Sequence, residues 1–352
     1  MRAKMVVLVA ALGLAMAAAA PAGAAEFRMT TFEPEGTLYW KLFPLAFAEK
    51  VKLVTDGKVS IRPFGSGVLA GIFEGHKAVR DKRADMAFHY PAFEVNESPA
   101  AAFIGDVPGG MGSDAKALWL LEGGGYDLWK QFRASQGLHG VFCGLIGSEV
   151  FSHSHKRVQK LADLKGYRYR TAGANTWVMK QIGAAPTLVP GPEVFPLLER
   201  KGIDGAEYLD PYGNHQLGFN KVAKYVIYPG IHAPGGSYEV LMRKETWDSF
   251  PEDVKAKIQL ACDSVVLRAY ASLQANNARA MKSMDENKFN ELVELDREVL
   301  NAMRKAGREW VAEKIKEEKA KGSPWMERFA KSYYDFLDTW TNYSSFQVID
   351  RK

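Results

Sequence analysis

The spacing of hydrophobic positions changes several times within the first ninety residues. Residues 27–31 look like a first strand, and apolar side chains then recur every three or four positions over 40–55, as on one face of a helix. A strand at 59–61, a helix over about 73–83 and a strand at 85–88 follow. This β-α-β-α-β order predicts a mostly parallel sheet covered by helices.

A similar passage recurs in the second half of the chain. A predicted helix over 193–200 leads into a strand over 203–206, and an Asp-x-Ala motif at 204–206 matches the one at 85–87. We interpret this echo as two lobes of related design, with Glu207 at the end of the second strand. The alternative is chance similarity in so short a string.

The C-terminal third of the chain is helical. An almost proline-free tract from Pro251 to about Met303 carries apolar residues near one face, which predicts a long helix packed on the core. Trp310 is expected to begin a second, charged helix, and aromatic residues form a stripe over 325–340. This stripe packs either on the body of the protein or on a second subunit.

The N-terminus has the features of a secretory signal. Basic residues precede an apolar, alanine-rich run over residues 5–20, and small residues follow it. The run is shorter than the roughly 20 residues of a membrane-spanning helix. We therefore predict that residues 1–25 are a signal peptide cleaved near Ala24 or Ala25, and that the mature protein is periplasmic.

Charge and cysteine content narrow the class further. The chain has 46 basic and 41 acidic residues, with two of the basic ones in the predicted signal. This small excess, mixed in sign along the chain, argues against a nucleic-acid partner. Cys143 and Cys262 could pair in an exported compartment, but so wide a separation is equally compatible with two buried thiols.

Motifs of common enzymes are absent from the sequence. It contains no P-loop, no dinucleotide-binding glycine motif, no nucleophile elbow and no zinc-protease motif. His153 and His155 alternate as on one face of a strand, but no third ligand follows at a characteristic spacing, which argues against zinc. The glycines at 123–125 more simply end a helix.

Arg170 is a candidate anion ligand. It ends a short predicted strand, and the carboxyl ends of strands in open α/β sheets face the ligand crevice. Its planar guanidinium matches a carboxylate bidentately and stays charged when desolvated. The alternative is a surface salt bridge.

Glu207 ends the predicted strand over 203–206. A carboxylate buried there needs a cation or several donors, and Arg170 cannot serve both this group and an anionic ligand well. A hard cation bound by carboxylate and backbone oxygens would reconcile the charges. The alternative is a solvated surface glutamate.

These residues belong to a wider resemblance carried by four segments. They are Asp163-Leu164-Lys165-Gly166 to Arg170, Pro190-Gly191-Pro192-Glu193, Gly202 to Glu207, and Leu217-Gly218-Phe219 to Tyr228-Pro229-Gly230. With them the chain resembles the solute-binding proteins of TRAP transporters, the DctP type. It is most similar to the branch that binds 2-oxo acids such as pyruvate, or lactate together with a metal ion.

The resemblance implies an α/β fold of two lobes around a central ligand cleft, with one long helix spanning both. The lobes are expected over 26–147 plus 236–275 and over 148–235 plus 276–309. Residues 310–352 would form a helical tail that could dimerise the protein. The implied function is capture of a small organic acid and its delivery to TRAP permease subunits in the membrane, without catalysis.

The resemblance also implies a ligand site. The strand-end arginine, here Arg170, holds the substrate carboxylate, and a cation beside it is bound by Glu207 and the backbone carbonyl of Tyr208. The chain departs from the branch in two side chains of the metal site, since Glu149 replaces a glutamine and Ala233 replaces a glutamate. The formal charge is conserved, so Ca²⁺ or Na⁺ is expected. Alternatively, Glu149 pairs with a cationic substrate.

Four further residues are expected to shape the pocket. Asn175 and Trp177 replace residues that are small or acidic in the branch, and Tyr90 and Tyr212 are expected to line the same space. The two replacements narrow or reshape the pocket.

One rival function is a metal-dependent lyase or hydrolase, in which Glu149 and Glu207 hold a catalytic ion and a histidine such as His153 or His232 acts as base. The other is a ligand sensor that docks on a receptor.

Overall fold

The structure, a computed structural model, describes residues 25–344. The predicted signal lies outside these residues except for Ala25, where the first strand begins. The strands in chain order are β1 (Ala25–Thr31), β2 (Val59–Phe64), β3 (Met86–His89), β4 (Leu138–Leu145), β5 (Ser152–Ser154), β6 (Arg168–Arg170), β7 (Ala185–Thr187), β8 (Gly205–Ala206), β9 (Tyr225–Tyr228), β10 (Ser237–Arg243) and β11 (Glu291–Glu294).

Helices alternate with these strands and then dominate the C-terminal third. The α-helices are α1 (Leu38–Trp40), α2 (Ala46–Val54), α3 (Gly75–Arg80), α4 (Ala101–Ile104), α5 (Ser113–Leu121), α6 (Gly125–Ser135), α7 (Asn175–Gln181), α8 (Gly191–Glu199), α9 (Pro211–Gln216), α10 (Phe219–Val222), α11 (Lys244–Asp248), α12 (Glu252–Asp285), α13 (Arg297–Ala320) and α14 (Trp325–Tyr343). A π-helical stretch at Lys41–Leu45 joins α1 to α2, and 3-10 turns lie at Pro91–Glu94 and Leu161–Leu164.

The strands form two sheets, one for each lobe. The first has the order β2-β1-β3-β10-β4 and the second the order β11-β9-β5-β8-β6-β7. Both are mixed rather than mostly parallel, because β10 returns from the second lobe and runs antiparallel to β3 and β4, while β5 enters the second sheet antiparallel to β8 and β9. The predicted parallel pairs are present, since β1 lies parallel to both β2 and β3.

The sequence echo corresponds to a repeated hydrogen-bond arrangement. In the first lobe the Asp85 carboxylate accepts the backbone N–H of Arg28 on β1 at 2.8 Å, and in the second the Asp204 carboxylate accepts that of Arg168 on β6 at 3.0 Å. Each aspartate also accepts a bond from the side chain of the same arginine. This match supports two lobes of related design and places Arg170 and Glu207 at neighbouring strand ends.

Helix α12 spans both lobes. Val254, Ile258 and Val265 pack in the core of the first lobe, whereas Ala280 and Met284 pack against a cluster of the second. A disulfide joins Cys262 on this helix to Cys143 on β4. The open question of whether the two cysteines pair is therefore answered in favour of the disulfide, which fastens the helix to the first sheet.

The predicted long helix is shorter than expected. It ends at Asp285, and strand β11 follows, which pairs with β9 before α13 begins at Arg297. A turn built on Asn287 and Asn290 separates the helix from the strand, since their side chains bond to nearby backbone groups. Trp310 consequently lies within α13 and does not begin a helix.

The aromatic stripe of α14 packs on the body of the protein. Phe329 and Tyr333 are fully buried against Phe103 and Trp119 of the first lobe, and the Tyr333 hydroxyl accepts the backbone N–H of Met111 at 2.5 Å. A homodimer formed through this tail is not confirmed. Within residues 25–344, no helix is long and apolar enough to cross a membrane.

Candidate functional site

A cavity that is partly open to solvent lies between the two sheets. Segments that follow β1, β3 and β4 line it from one side, and segments that follow β6 and β8 line it from the other. This is the place where open α/β sheets bind ligands. Its ionisable lining residues apart from tyrosines are Glu33, Asp106, Glu149, Arg170, Glu207 and His232.

Arg170 ends β6 and is buried, which excludes the surface salt bridge. Its Nη1 donates to the carbonyl and to Oε2 of Glu207, both at 3.0 Å, and its Nε and Nη2 donate to the carbonyl of Val189 at 3.3 and 3.0 Å. Four of the five guanidinium N–H groups are thus engaged, and one on Nη2 remains. Bidentate capture of a carboxylate, as predicted, would require Arg170 to release one of these acceptors.

Glu207 follows β8 and is only 5% exposed, so it is not a solvated surface residue. Its Oε1 accepts the backbone N–H of Ala172 at 2.7 Å, and its Oε2 accepts from Arg170. These bonds fix the carboxylate toward the cavity. Each oxygen keeps a lone pair that can bind a further donor or a cation.

Glu149 reaches the cavity from the segment after β4. Its Oε2 lies 3.1 Å from Nε2 of His232, and its backbone N–H donates to the carbonyl of Ala233 at 3.1 Å. Only glycine fits at position 230, because a Cβ there would collide with the backbone carbonyl of Glu149. Burial, followed by the charges of Glu207 and Asp106, raises the pKa of Glu149 well above its ordinary value.

Glu149, Glu207 and His232 form a candidate cation site. One ligand atom of each lies within 4.8 Å of those of the others, and all three residues are buried. Burial lowers the pKa of His232, against the opposite effect of Glu207, so the imidazole is neutral near pH 7. Two carboxylates at this distance repel each other unless a proton or a cation lies between them. The residues present therefore fit a hard cation.

Two carboxyl groups of the site, Asp106 and Glu33, were not singled out from the sequence. Asp106 accepts the hydroxyl of Tyr90 at 2.5 Å and the backbone N–H of Gly235 at 3.2 Å, and burial raises its pKa. Burial also raises the pKa of Glu33, to about 8. The signal that could have found Glu33 is its position just after β1, a strand end like that of Glu207.

Tyr90, Asn175 and Tyr208 line the cavity. The Arg170 guanidinium lies over the Tyr208 ring, 5.5 Å from its centre, which is within the range of a cation–π interaction. Asn175 donates from Nδ2 to the hydroxyl of Thr171 at 2.8 Å, and its buried Oδ1 has no protein partner among residues 25–344.

Trp177 and Tyr212 do not line the cavity, in contrast to the prediction. Trp177 lies on α7, where its ring packs against two hydrophobic clusters that both include residues of α13. Tyr212 lies in the first turn of α9, where its backbone N–H donates to Asn277 of α12 at 2.8 Å and its ring packs against the core. Both aromatic rings thus stabilise helix packing.

His153 lies outside this cavity. It is fully buried on β5, with its ring 5.5 Å from that of Phe219. Burial lowers its pKa to about 3. Neither it nor His155 belongs to a cluster of candidate metal ligands among the described residues.

Two α/β lobes that enclose a buried, charged cavity define a two-lobed solute-binding protein. The sequence model of the DctP family, described as bacterial extracellular solute-binding protein family 7, matches residues 29–318. The chain therefore belongs to this family of TRAP solute-binding proteins. Its members are substrate receptors of transporters, so the protein is a binding protein and not the lyase or hydrolase considered above.

Known relatives resemble this chain in sequence and in fold. The monocarboxylate 2-oxoacid-binding periplasmic protein of Nostoc sp. is 28% identical over 280 residues, which are 80% of this chain and 76% of the relative. A TRAP solute-binding protein from Pseudoalteromonas atlantica, solved with sodium and pyruvate, superposes with a TM-score of 0.84 at 23% identity and covers 92% of this chain and 97% of that one.

A second solved structure comes from Bordetella bronchiseptica. It has a TM-score of 0.83 at 23% identity and covers 92% of this chain and 95% of that one. That protein is a dimer of mixed occupancy, with calcium and picolinate in the bound site. Both superpositions show that the two-lobed fold is shared over nearly the whole described chain.

Proposed function

We propose that the protein captures a small 2-oxo or 2-hydroxy monocarboxylate, such as pyruvate or lactate, together with a metal cation. It does so in the periplasm, after removal of the signal, and delivers the acid to the permease subunits of a TRAP transporter. The lobes close on the ligand by a hinge motion that contacts from both sides stabilise.

The excess of buried carboxyl groups carries this proposal. Asp106, Glu149 and Glu207 line the cavity beside Glu33, which burial keeps largely protonated, and Arg170 is the one arginine or lysine among the lining residues that the structure describes. An acid added alone would increase the imbalance, and repulsion would oppose its binding. A cation bound with the acid offsets both charges, so the two should bind together.

The relatives support the same pairing of acid and cation. The Nostoc protein is named for monocarboxylate 2-oxo acids, and structural neighbours contain pyruvate with sodium or with calcium. Carboxylate and carbonyl oxygens are ligands of both cations. The two carboxylates Glu149 and Glu207 favour the divalent ion.

Each site residue then has a distinct role. Glu149, Glu207 and the carbonyl of Tyr208 would hold the cation, and the free Nη2–H of Arg170 would meet the substrate carboxylate. Asn175 is part of the cavity wall, and its Oδ1, which has no protein partner among the described residues, would accept a hydrogen bond from the ligand. Tyr90 shapes the opposite side and is held in place by its bond to Asp106.

A thermal-shift screen tests the proposal. Metal-stripped protein would be heated with pyruvate, lactate, longer 2-oxo acids or C4-dicarboxylates, each with and without Ca²⁺ or Na⁺, because a ligand of the native state raises its stability. We expect stabilisation by a monocarboxylate only with a cation present. Metal-independent stabilisation by a cationic solute would instead mean that Glu149 and Glu207 bind the substrate directly.

A further inference from the structure

Glu33 has a fixed backbone but a free carboxyl group. Its carbonyl accepts the hydroxyl of Thr31 at 2.9 Å and the backbone N–H of Ser66 at 3.0 Å, which holds the segment after β1 in place. The residue is 4% exposed, and its side chain lines the ligand cavity. Among residues 25–344, no side chain or backbone group forms a hydrogen bond or an ion pair with this carboxyl, and burial is the one cause of its raised pKa.

The other cavity carboxyl groups all have protein partners. Asp106 accepts from Tyr90 and Gly235, Glu207 accepts from Arg170 and Ala172, and Glu149 pairs with His232. The oxygens of Glu33 have no such partner in the described part of the chain, and they are not among the fully enclosed side-chain atoms, so they remain accessible from the cavity. A molecule bound in the cavity would displace solvent there and would have to supply a hydrogen-bond partner to this group.

The cation proposed above is not this partner. It would lie among Glu149, Glu207 and His232, which belong to the segments after β4 and β8 and around Gly230, and Glu33 is not part of that cluster. Glu33 enters from the first lobe, on the segment after β1, whereas Arg170 enters from the second. A ligand whose carboxylate lies at Arg170 would therefore turn its other end toward Glu33.

We propose that Glu33 recognises a hydroxyl group of the ligand, at the end remote from the carboxylate, so that the preferred substrates are hydroxylated 2-oxo acids. This inference rests on the proposed function. A methyl group, as in pyruvate, would leave the carboxyl of Glu33 buried without a partner. A hydroxyl group both donates and accepts, and it adds no charge to a cavity that is already rich in carboxylates.

Burial supports this choice of partner. The raised pKa of Glu33, about 8, keeps the group largely protonated at neutral pH. A neutral carboxylic acid forms two complementary hydrogen bonds with a hydroxyl, one as donor and one as acceptor. Phe32 and Leu209 line the cavity nearby and add apolar surface around the pair.

The test compares two acids of the same heavy-atom count, hydroxypyruvate and 2-oxobutyrate, by calorimetric titration in the presence of Ca²⁺. Wild-type protein should bind hydroxypyruvate roughly tenfold more tightly, the effect of one net hydrogen bond to a buried group. Glu33→Leu should remove or reverse this preference, whereas Glu33→Gln, whose amide still donates and accepts, should keep most of it.

The outcomes separate this inference from the proposed function. Equal affinity of wild-type protein for the two acids, or a preference that survives in Glu33→Leu, would overturn the role of Glu33 and leave cation-linked acid binding intact. Binding of neither acid to folded wild-type protein with Ca²⁺ would overturn both. Unfolding temperatures measured without ligand identify any variant that does not fold.

Discussion

Two buried clusters in this protein combine histidine with glutamate, and they differ in how charge is balanced. The first contains His89, Glu94 and Glu239 around Arg133. The guanidinium donates to both oxygens of Glu94, at 3.1 and 2.5 Å, and to both oxygens of Glu239, while Nε2 of His89 lies 2.8 Å from Glu94. Burial would raise the pKa of Glu94, but Arg133 and His89 lower it below the ordinary value.

The second cluster is the candidate ligand site. Arg170 bonds to Glu207 there, whereas Glu149 lies beside a neutral histidine, and burial together with nearby carboxylates raises the pKa of Glu149. Both clusters contain groups that could ligate a metal ion. The comparison shows that the presence of side chains able to ligate a metal ion does not by itself indicate a binding site. A cluster in which an arginine satisfies the carboxylates stabilises the fold, and one with unbalanced carboxylates is suited to bind something else.

Removing the cation of the balanced cluster should have the largest effect. Arg133→Met leaves Glu94 and Glu239 buried without a cation, and we expect a loss of about 3–5 kcal/mol in the free energy of unfolding, measured with denaturant. The matched control is Arg308→Met, whose exposed pair with Asp338 should contribute less than about 1 kcal/mol. Equal effects of the two substitutions would remove the distinction between the clusters.

The unbalanced carboxyl groups should make stability depend on pH. The pKa of Glu33 rises from 4.5 to about 8 on folding. Between these two pH values the folded state binds more protons than the unfolded state, so the free energy of unfolding falls as the pH rises. Wild-type protein without ligand should lose about 2–3 kcal/mol more than Glu33→Gln between pH 5 and 7. Tyr208 and Tyr238 stay neutral there, since burial raises their pKa. Identical pH profiles would contradict an unpartnered Glu33.

Arg170→Lys should weaken acid binding by more than roughly tenfold. A single ammonium cannot hold Val189 and Glu207 together and still present a donor to the ligand. Arg168→Lys on the same strand is the control, because its side chain is 53% exposed and pairs with Asp204 outside the cavity. Titration calorimetry measures both, and unchanged affinity in Arg170→Lys would exclude this arginine as the anion ligand.

Local rules in the sequence predicted the strand-end residues of the site. Arg170 and Glu207 follow from the position of short strands before turns, and family resemblance added Glu149. The two lobes and the helix that spans them were also predicted correctly.

Features that depend on packing between distant segments could not be predicted. Strand β11 lies within the tract that was predicted to be one long helix, and it forms a strand because it pairs with β9. Trp177 and Tyr212 lie away from the cavity because they contact α13 and α12, respectively, and the positions of these helices depend on the packing of distant segments. Asp106 reaches the site from the other lobe, and no local pattern links it to Arg170, whereas Glu33 follows β1 and could have been found by the strand-end rule.

The most direct test of cation-linked capture is a calorimetric titration of metal-stripped protein with Ca²⁺, in the absence and in the presence of saturating pyruvate. Because binding free energies are reciprocal, we expect pyruvate to tighten Ca²⁺ binding at least about tenfold, and Glu149→Gln to lose most of this coupling. The same Ca²⁺ affinity with and without pyruvate would contradict the central role given to the unbalanced carboxylates.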